Sequence, residues 1–394
     1  MISKKTKLNA ITVLLILLCL GFFLKIRNNA NTPNVTTVGG IWNIITIIVY
    51  IYWFIFVFNK KLKISGLMLV GVSFVLISVV TSIINMKDLS ISFIYNLMIV
   101  PYFLIILSLF YDIASVVGSR ALNMKVFATT FFVLTIFVAY LLVGNRTLDE
   151  ESFVVADVYY SLNMLPFVFL SKRKALRYSA TFATAFALVL SGKRTGFVAF
   201  ALGLIIFYLI SSLCSKSKSE KKKSLLALII TFFTVIVVFV VLSTKFELEF
   251  FDRIVIAFTE GESGRQEIWD KIIKDIRRSS VLELLFGHGL QSVPVLIGSK
   301  NALAHCDYLE IFYDFGLFAF LLYVSFWILL IIRCLKMIKA KDKYSAVASF
   351  SLIISLFLSL FSNFAIDATF ITYSMITFGT IFGLQKHEKE KMHE

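Results

Sequence analysis

HCDYLEIFYDFGLFAFLLY, residues His305–Tyr323, changes character halfway along. Its first half carries His305, Asp307, Glu310 and Asp314, and the run that follows, Leu317 to Ile332, carries no charge. A helix from Leu317 to Cys334, rising about 1.5 Å per residue, covers most of the roughly 30 Å of a bilayer's hydrocarbon core. On a helix beginning near Asp307, Glu310 and Asp314 share one face with it, three and four residues apart. The stretch therefore reads as a polar segment running into a membrane span, with a histidine and acids at the bilayer's edge.

The same alternation of apolar runs and short polar segments fills the chain. Of its 394 residues, 59% are hydrophobic and only 16% are charged, against about 25% charged in soluble domains. Mean hydropathy is +0.88. The pattern predicts an all-α polytopic membrane protein of about twelve transmembrane helices. The expected spans begin with Leu8–Leu24, Gly40–Phe58, Ile64–Ile84, Ile91–Tyr111, Val126–Gly144 and Phe153–Leu170. They continue with Tyr178–Ser191, Phe197–Cys214, Ser224–Ser243, Leu317–Cys334, Ala346–Ser362 and Ala368–Leu384. The chain divides accordingly into residues 1–243 with spans 1–9, a large outer loop over 244–316, and residues 317–394 with spans 10–12 and a short charged tail.

The net charge of +15 would point to nucleic acid in a soluble protein; among spans it is first a topology signal. Assigning alternate loops to the cytoplasm gives every inner loop a basic cluster. These are Lys60, Lys61 and Lys63; Arg120 and Lys125; Lys172, Arg173, Lys174 and Arg177; Lys216 to Lys223; and Arg333 to Lys343. The outer loops are left slightly acidic, and both termini fall inside. No basic patch is interleaved with aromatics, so nucleic acid is not an expected partner. The basic start Met1–Lys7 followed by Leu8–Leu24 reads as an uncleaved first span. Cys19, Cys214, Cys306 and Cys334 lie in or beside different spans and form no disulfide framework.

The loop over 244–316, about 70 residues, is where a water-facing site has room to form. Ser263-Gly264-Arg265-Gln266 reads as a capping box opening a helix over Glu267–Ser279. Ile268, Trp269, Ile272, Ile273 and Ile276 share one face of it, and the charged residues take the other. Such a helix is expected to lie on the bundle or membrane surface. Gly287-His288-Gly289 follows as a turn.

Fixed cations at an outer bilayer face suit a lipid-linked diphosphate, which leaves with more charge than it carried. Arginine is the fitting residue, being permanently charged and bidentate. Lys193 and Arg194, in LSGKRTGFVAF, form a two-charge turn between apolar spans, and Arg265 opens the loop helix. The competing readings are an interfacial snorkelling anchor for Lys193 and Arg194 and a solvated helix start for Arg265. Arg277 and Arg278 read as the polar face of their helix with a minor substrate role, and His288 as decoration of its turn. His305 stands where imidazole could take a proton from a sugar hydroxyl near neutral pH, with Asp307 as its expected partner. A structural role at a helix start competes with that. A metal set of His305, Asp307 and Glu310 has no recognised ligand spacing, and none is expected.

Three segments together resemble one family. LSGKRTGFVAF is similar to the span-turn-span "S-x-(S/K)-R" element of the O-antigen polymerase and ligase superfamily. SGRQEIWDKIIKDI followed by LLFGHGL resembles its "GR-x-x-x-W … G-x-G" loop segment. AHCDYLEIFYDFGLFAFLLY resembles the histidine-led approach to a late span. The likeness runs in order from about Leu190 to Tyr323, while the first half agrees only in being apolar. It implies a GT-C-like, all-helical glycosyltransferase at the outer face of the bacterial inner membrane. The donor would be an undecaprenyl-diphosphate-linked oligosaccharide, with no cofactor or required metal, and a chain-length regulator membrane protein would be a partner. Arg194 and Arg265 correspond to the diphosphate-contacting arginines and His305 to the loop histidine, the base or substrate-positioning group. Lys193, Asp307, Tyr308, Arg277 and His288 make up the expected substrate-binding set. Cys306, where ligases usually carry Asn, leans toward the polymerase branch. A ligase acting on lipid A core and a lipid-linked oligosaccharide flippase are the rival readings; against the flippase stands the absence of detectable repeat halves.

Overall fold

The computed structural model describes residues 35–58, 65–86, 91–121, 158–191, 193–215, 217–245, 265–299, 303–362 and 368–393, with isolated positions near both 5–13 and 132–136. The expected spans Leu8–Leu24 and Val126–Gly144, apart from those isolated positions, and the cap residue Ser263 lie outside the described residues. Among the described residues the structure is helical and contains no strand.

In chain order the helices are α1 (Val35–Trp53, continued by a π-helical turn Phe54–Phe58), α2 (Gly66–Ile84), α3 (Ile91–Ile99) and α4 (Tyr102–Ala121). Then come α5 (Val158–Leu170), α6 (Lys174–Leu190), α7 (Arg194–Cys214) and α8 (Lys218–Lys245). The loop supplies α9 (Arg265–Ile276), α10 (Val281–Phe286) and α11 (Ser292–Ile297), and the last three are α12 (Asp307–Lys339), α13 (Ser345–Phe361) and α14 (Ala368–His393). Four stretches among the described residues are long and apolar enough to cross a membrane: Gly66–Ile84, Asn96–Ser119, Arg194–Cys214 and Asp307–Lys339. Ile44–Trp53, Val158–Leu170 and Ser345–Phe361 are shorter apolar helices.

Two expected spans change shape for identifiable reasons. Ile91–Tyr111 is broken at Val100-Pro101, because the ring of Pro101 disfavours helical backbone at the residue before it. The second piece restarts with Leu104 and Ile105 donating their N–H groups to the Pro101 carbonyl at 3.1 and 3.2 Å. The helix expected over Leu317–Cys334 starts instead at Asp307 and bends at Gly316, whose φ of 77° lies in the left-handed region.

Around these helices the core is built from aromatic edges and polar ties. Phe74 of α2 meets Phe315 of α12 edge-on at 6.3 Å and Tyr323 at 5.8 Å, which seats α12 on α2. Between α14 and α4 backbones approach closely: a Cβ at Gly379 or Gly383 would come 2.5 Å from the carbonyl oxygen of Leu107 or Tyr111. Within the bundle Ser355 donates to Ser374 at 2.9 Å, and Ser374 to Asn163 Oδ1 at 3.1 Å, linking α13, α14 and α5. Such bonds satisfy hydroxyls that apolar surroundings would otherwise leave at a cost.

The loop folds back on α12 rather than standing apart. Ile272 of α9, Val293 of α11, Ala304 and Tyr313 form a small buried cluster flanked by Ile268, Ile276 and Leu309. The apolar face of α9 thus covers the loop's own core and the start of α12. The capping box in the described part of the loop is at α10: Ser280 accepts from the Glu283 N–H at 3.3 Å, and the Glu283 carboxylate accepts from the Ser280 N–H at 2.6 Å. Those contacts stabilise the ionised form and hold the Glu283 carboxyl below its ordinary value.

Gly287 and Gly316 meet back to back where α10 abuts the bend of α12. A Cβ on Gly287 would lie 2.4 Å from the Asp314 carbonyl oxygen, and one on Gly316 would lie 2.4 Å from the Leu285 carbonyl oxygen. Across this seam the N–H groups of His288 and Gly289 donate to the carbonyls of Tyr313 and Asp314, at 3.1 and 2.7 Å. The helix break at Gly316 frees carbonyls of α12, and the G-H-G turn satisfies them.

Candidate functional site

Three acids on the buried face of α12 fix the frame. Asp307, Glu310 and Asp314 are 0%, 1% and 1% exposed, so each needs donors to remain inside. Asp307 accepts from the hydroxyls of Ser359 at 2.7 Å and Tyr323 at 3.2 Å. Glu310 accepts from the Ala304 N–H at 3.0 Å. Asp314 takes the N–H groups of Gln291 and Ser292, at 3.0 and 3.1 Å, and so holds the start of α11. The acid face staples the loop and α13 to α12.

His305 sits between two of those staples. Ala304 before it is gripped on both sides, by the Glu310 carboxylate on its N–H and by the Trp269 indole N–H on its carbonyl. Asp307 lies two residues after it. His305 itself has a φ of 53°, an uncommon setting for a residue with a side chain. Trp269 and Arg265 are four apart on α9, one turn of one face. The helix that holds His305 through Trp269 therefore also presents Arg265 to it.

The electrostatics follow from that placement. Burial, then the Arg265 guanidinium, then the Lys193 ammonium push the His305 imidazole down to about 4, since each disfavours a cation there. His305 is neutral at physiological pH and faces two fixed positive charges drawn from distant segments. Lys193 caps α7, its N–H donating to Ser191 Oγ at 3.2 Å, and Arg194 opens that helix half-buried. Arg265 would be unfavourable at the start of α9. It donates from Nη1 to the Phe361 carbonyl at 3.2 Å, the partly negative last residue of α13.

The remaining expected residues are distributed unevenly. Tyr308 lies with Asp307 and its partners, its ring 5.5 Å from that of Tyr323 and its hydroxyl near Ser359. The Asp307 carboxylate accepts from Tyr323 and Ser359, and Arg265 and Lys193 act electrostatically on His305. Arg277 lies just past the other end of α9, about 18 Å from Arg265 along the helix at 1.5 Å per residue, and is exposed. His288 is also at that far end, stacked on Tyr313 with ring centroids 4.3 Å apart. Its Nδ1 is 3.2 Å from the Tyr313 carbonyl and its Nε2 3.2 Å from Ser279 Oγ. Neither Arg277 nor His288 is drawn to His305.

Tyr159, Tyr323, Ser359, Phe361 and Ser362 join the site without having been expected there from the sequence. Tyr323 and Ser359 anchor Asp307, and Tyr159 faces Arg265 together with Thr195 and Ser362. Their one visible signal is polarity inside or beside apolar runs, as in VYYSLNM and FLSLFS.

Fold and site together define a helical membrane protein with a neutral histidine held beside fixed cations. Residues 179–324 match the family model described as O-Antigen ligase, which supports the O-antigen polymerase and ligase superfamily. The matched residues contain Lys193, Arg194, Arg265, Arg277, His288, His305, Asp307 and Tyr308; Tyr159, Phe361 and Ser362 lie outside them. No curated protein matches the chain. The match and the apolar helices support an O-antigen ligase- or polymerase-like membrane function, a glycosyltransferase-like role in polysaccharide assembly.

Proposed function

We propose that the protein is a membrane glycosyltransferase that polymerises undecaprenyl-diphosphate-linked repeat units of a surface polysaccharide at the outer face of the bacterial inner membrane. The observation that carries this reading is the joint action of Arg265 and Lys193 on one neutral, backbone-constrained histidine. The acceptor hydroxyl of the incoming repeat attacks the anomeric carbon of the donor chain. The bond from that carbon to the diphosphate oxygen breaks, and the diphosphate leaves with the electron pair. His305 takes the hydroxyl proton. Arg265, Lys193 and the adjoining Arg194 stabilise the charge that grows on the leaving group.

The same arrangement couples binding to base strength. A donor diphosphate between Arg265 and Lys193 offsets the charges that suppress protonation of His305, so its affinity for the proton rises once the donor is bound. Purified protein with lipid-linked repeat units is the test. Wild type should build a ladder of lengthening chains, and unchanged chain growth in both His305→Ala and Arg265→Ala would remove the mechanism.

The description of the matched family favours a second reading, a ligase that moves the glycan to lipid A core. Deletion separates the two. Loss of a polymerase leaves single repeats attached to the core, whereas loss of a ligase leaves the core bare.

A further inference from the structure

Arg265 acts on two groups. Besides His305 it acts electrostatically on Tyr159, a residue 3% exposed near the start of α5. The Tyr159 hydroxyl is also in hydrogen-bonding contact with the side chains of Thr195 and Ser362 and with the Gly196 backbone. Tyr159 thereby touches the turn that carries Lys193 and Arg194, and the C-terminal end of α13 to which Arg265 is bound. Its ring reaches that turn because residue 196 has no side chain: a Cβ there would lie 2.5 Å from Tyr159 Cε1. The backbone is fixed as well. Asn163, one turn along, donates to the Tyr159 carbonyl at 2.9 Å and accepts from Ser374 at 3.1 Å.

A guanidinium, two hydroxyls and an N–H act on the Tyr159 oxygen. A phenol whose oxygen is approached by such donors is polarised toward giving its own hydrogen to an anion. Because Arg265 is common to Tyr159 and His305, an anion that pairs with Arg265 is positioned to meet the phenol.

We propose that Tyr159 is a substrate-binding residue of the proposed site, its hydroxyl donating to the donor diphosphate held by Arg265 and Lys193. This rests on the glycosyltransferase reading for the identity of the ligand, but the diphosphate contact can be tested without any transfer. The probe is inorganic pyrophosphate, titrated calorimetrically into the full-length protein in nanodiscs. Tyr159→Phe keeps the ring against Gly196 and removes only the hydroxyl. It should weaken pyrophosphate about tenfold or more, the usual scale for a hydrogen bond to a charged group. Tyr208→Phe, which removes a buried hydroxyl bonded to Thr231 on a different part of the bundle, should leave the affinity unchanged. In the transfer assay Tyr159→Phe should raise the donor KM while kcat falls less.

Equal pyrophosphate affinity for wild type and Tyr159→Phe would overturn the proposal and leave Tyr159 as a brace between α5 and the 193–196 turn. Failure of the wild type to bind pyrophosphate would overturn it too. Binding that depends on Tyr159 in a protein that extends no lipid-linked chain would uphold the contact and defeat the polymerase reading.

Discussion

His305 and His288 belong to the same loop and sit near opposite ends of α9, yet they occupy opposite chemical settings. His288 is wedged: stacked on Tyr313, with both ring nitrogens in contact with protein atoms and Asp275 at 3.9 Å from Nε2. His305 is held by its backbone, through Ala304 and Asp307, and its ring faces the charges of Arg265 and Lys193. A ring committed on both nitrogens to its own protein is a structural strut. A ring set beside two cations is placed for a ligand that brings negative charge. The acids follow the same division, with Asp307, Glu310 and Asp314 all given to internal donors.

The largest expected break in this arrangement comes at the seam between the G-H-G turn and α12. Gly316→Ala places a Cβ 2.4 Å from the Leu285 carbonyl oxygen at a φ of 77°. It should cost more than about 3 kcal/mol and remove most folded protein, read as the yield of monodisperse protein and its unfolding temperature. Next in size is the cation. Arg265→Gln should lower kcat roughly 10²- to 10³-fold, the usual scale for losing a donor to developing charge. It should also move the His305 titration upward, because a positive neighbour is gone. Histidine NMR checks the second outcome independently of turnover.

A smaller effect separates the two histidines from the other side. His288→Ala removes the stack on Tyr313 and the bonds to Ser279 and the Tyr313 carbonyl. It should cost about 1–3 kcal/mol of stability, measured by thermal unfolding, while turnover per folded molecule changes less than about twofold.

The smallest expected signal is in the pH profiles. His305 starts from an ordinary value of 6.5 and is lowered to about 4 in the free protein, so the base stays competent as pH falls until that region is reached. The acidic limb of kcat/KM, which reports the free enzyme, should therefore lie near 4. Bound diphosphate offsets the cations, so the acidic limb of kcat should lie higher. The sign for stability is the same: protonating this histidine is less favourable in the folded state than in the unfolded one. Its contribution to stability is retained above pH 6.5 and is lost as pH falls toward 4.

Much of this was legible in the sequence, and the exceptions share a cause. Apolar runs of fixed length disclosed the membrane helices that the structure describes, because hydrocarbon forces backbone hydrogen bonds to close within each segment. The loop helix α9, its apolar face and the G-H-G turn depend on neighbours in sequence and were readable for that reason, although the helix read as Glu267–Ser279 closes at Ile276. The roles of Asp307 and Tyr159 were not. Whether Asp307 answers to His305 or to Tyr323 and Ser359 depends on how α12 rotates against α13, which local spacing does not encode. Tyr159 reaches Arg265 only through the packing of α5 beside the 193–196 turn. The Pro101 break was visible as a proline in an apolar run, but its consequence for the span depended on which neighbours receive the separated helices.

Chain growth decides whether His305 is the reacting histidine and His288 the structural one. Purified wild type, His305→Ala and His288→Ala would each be given lipid-linked repeat units, and their products resolved by length. Wild type and folded His288→Ala should build a full ladder, and His305→Ala should be slower by about 10²- to 10⁴-fold. A full ladder from His305→Ala at the wild-type rate would contradict that assignment.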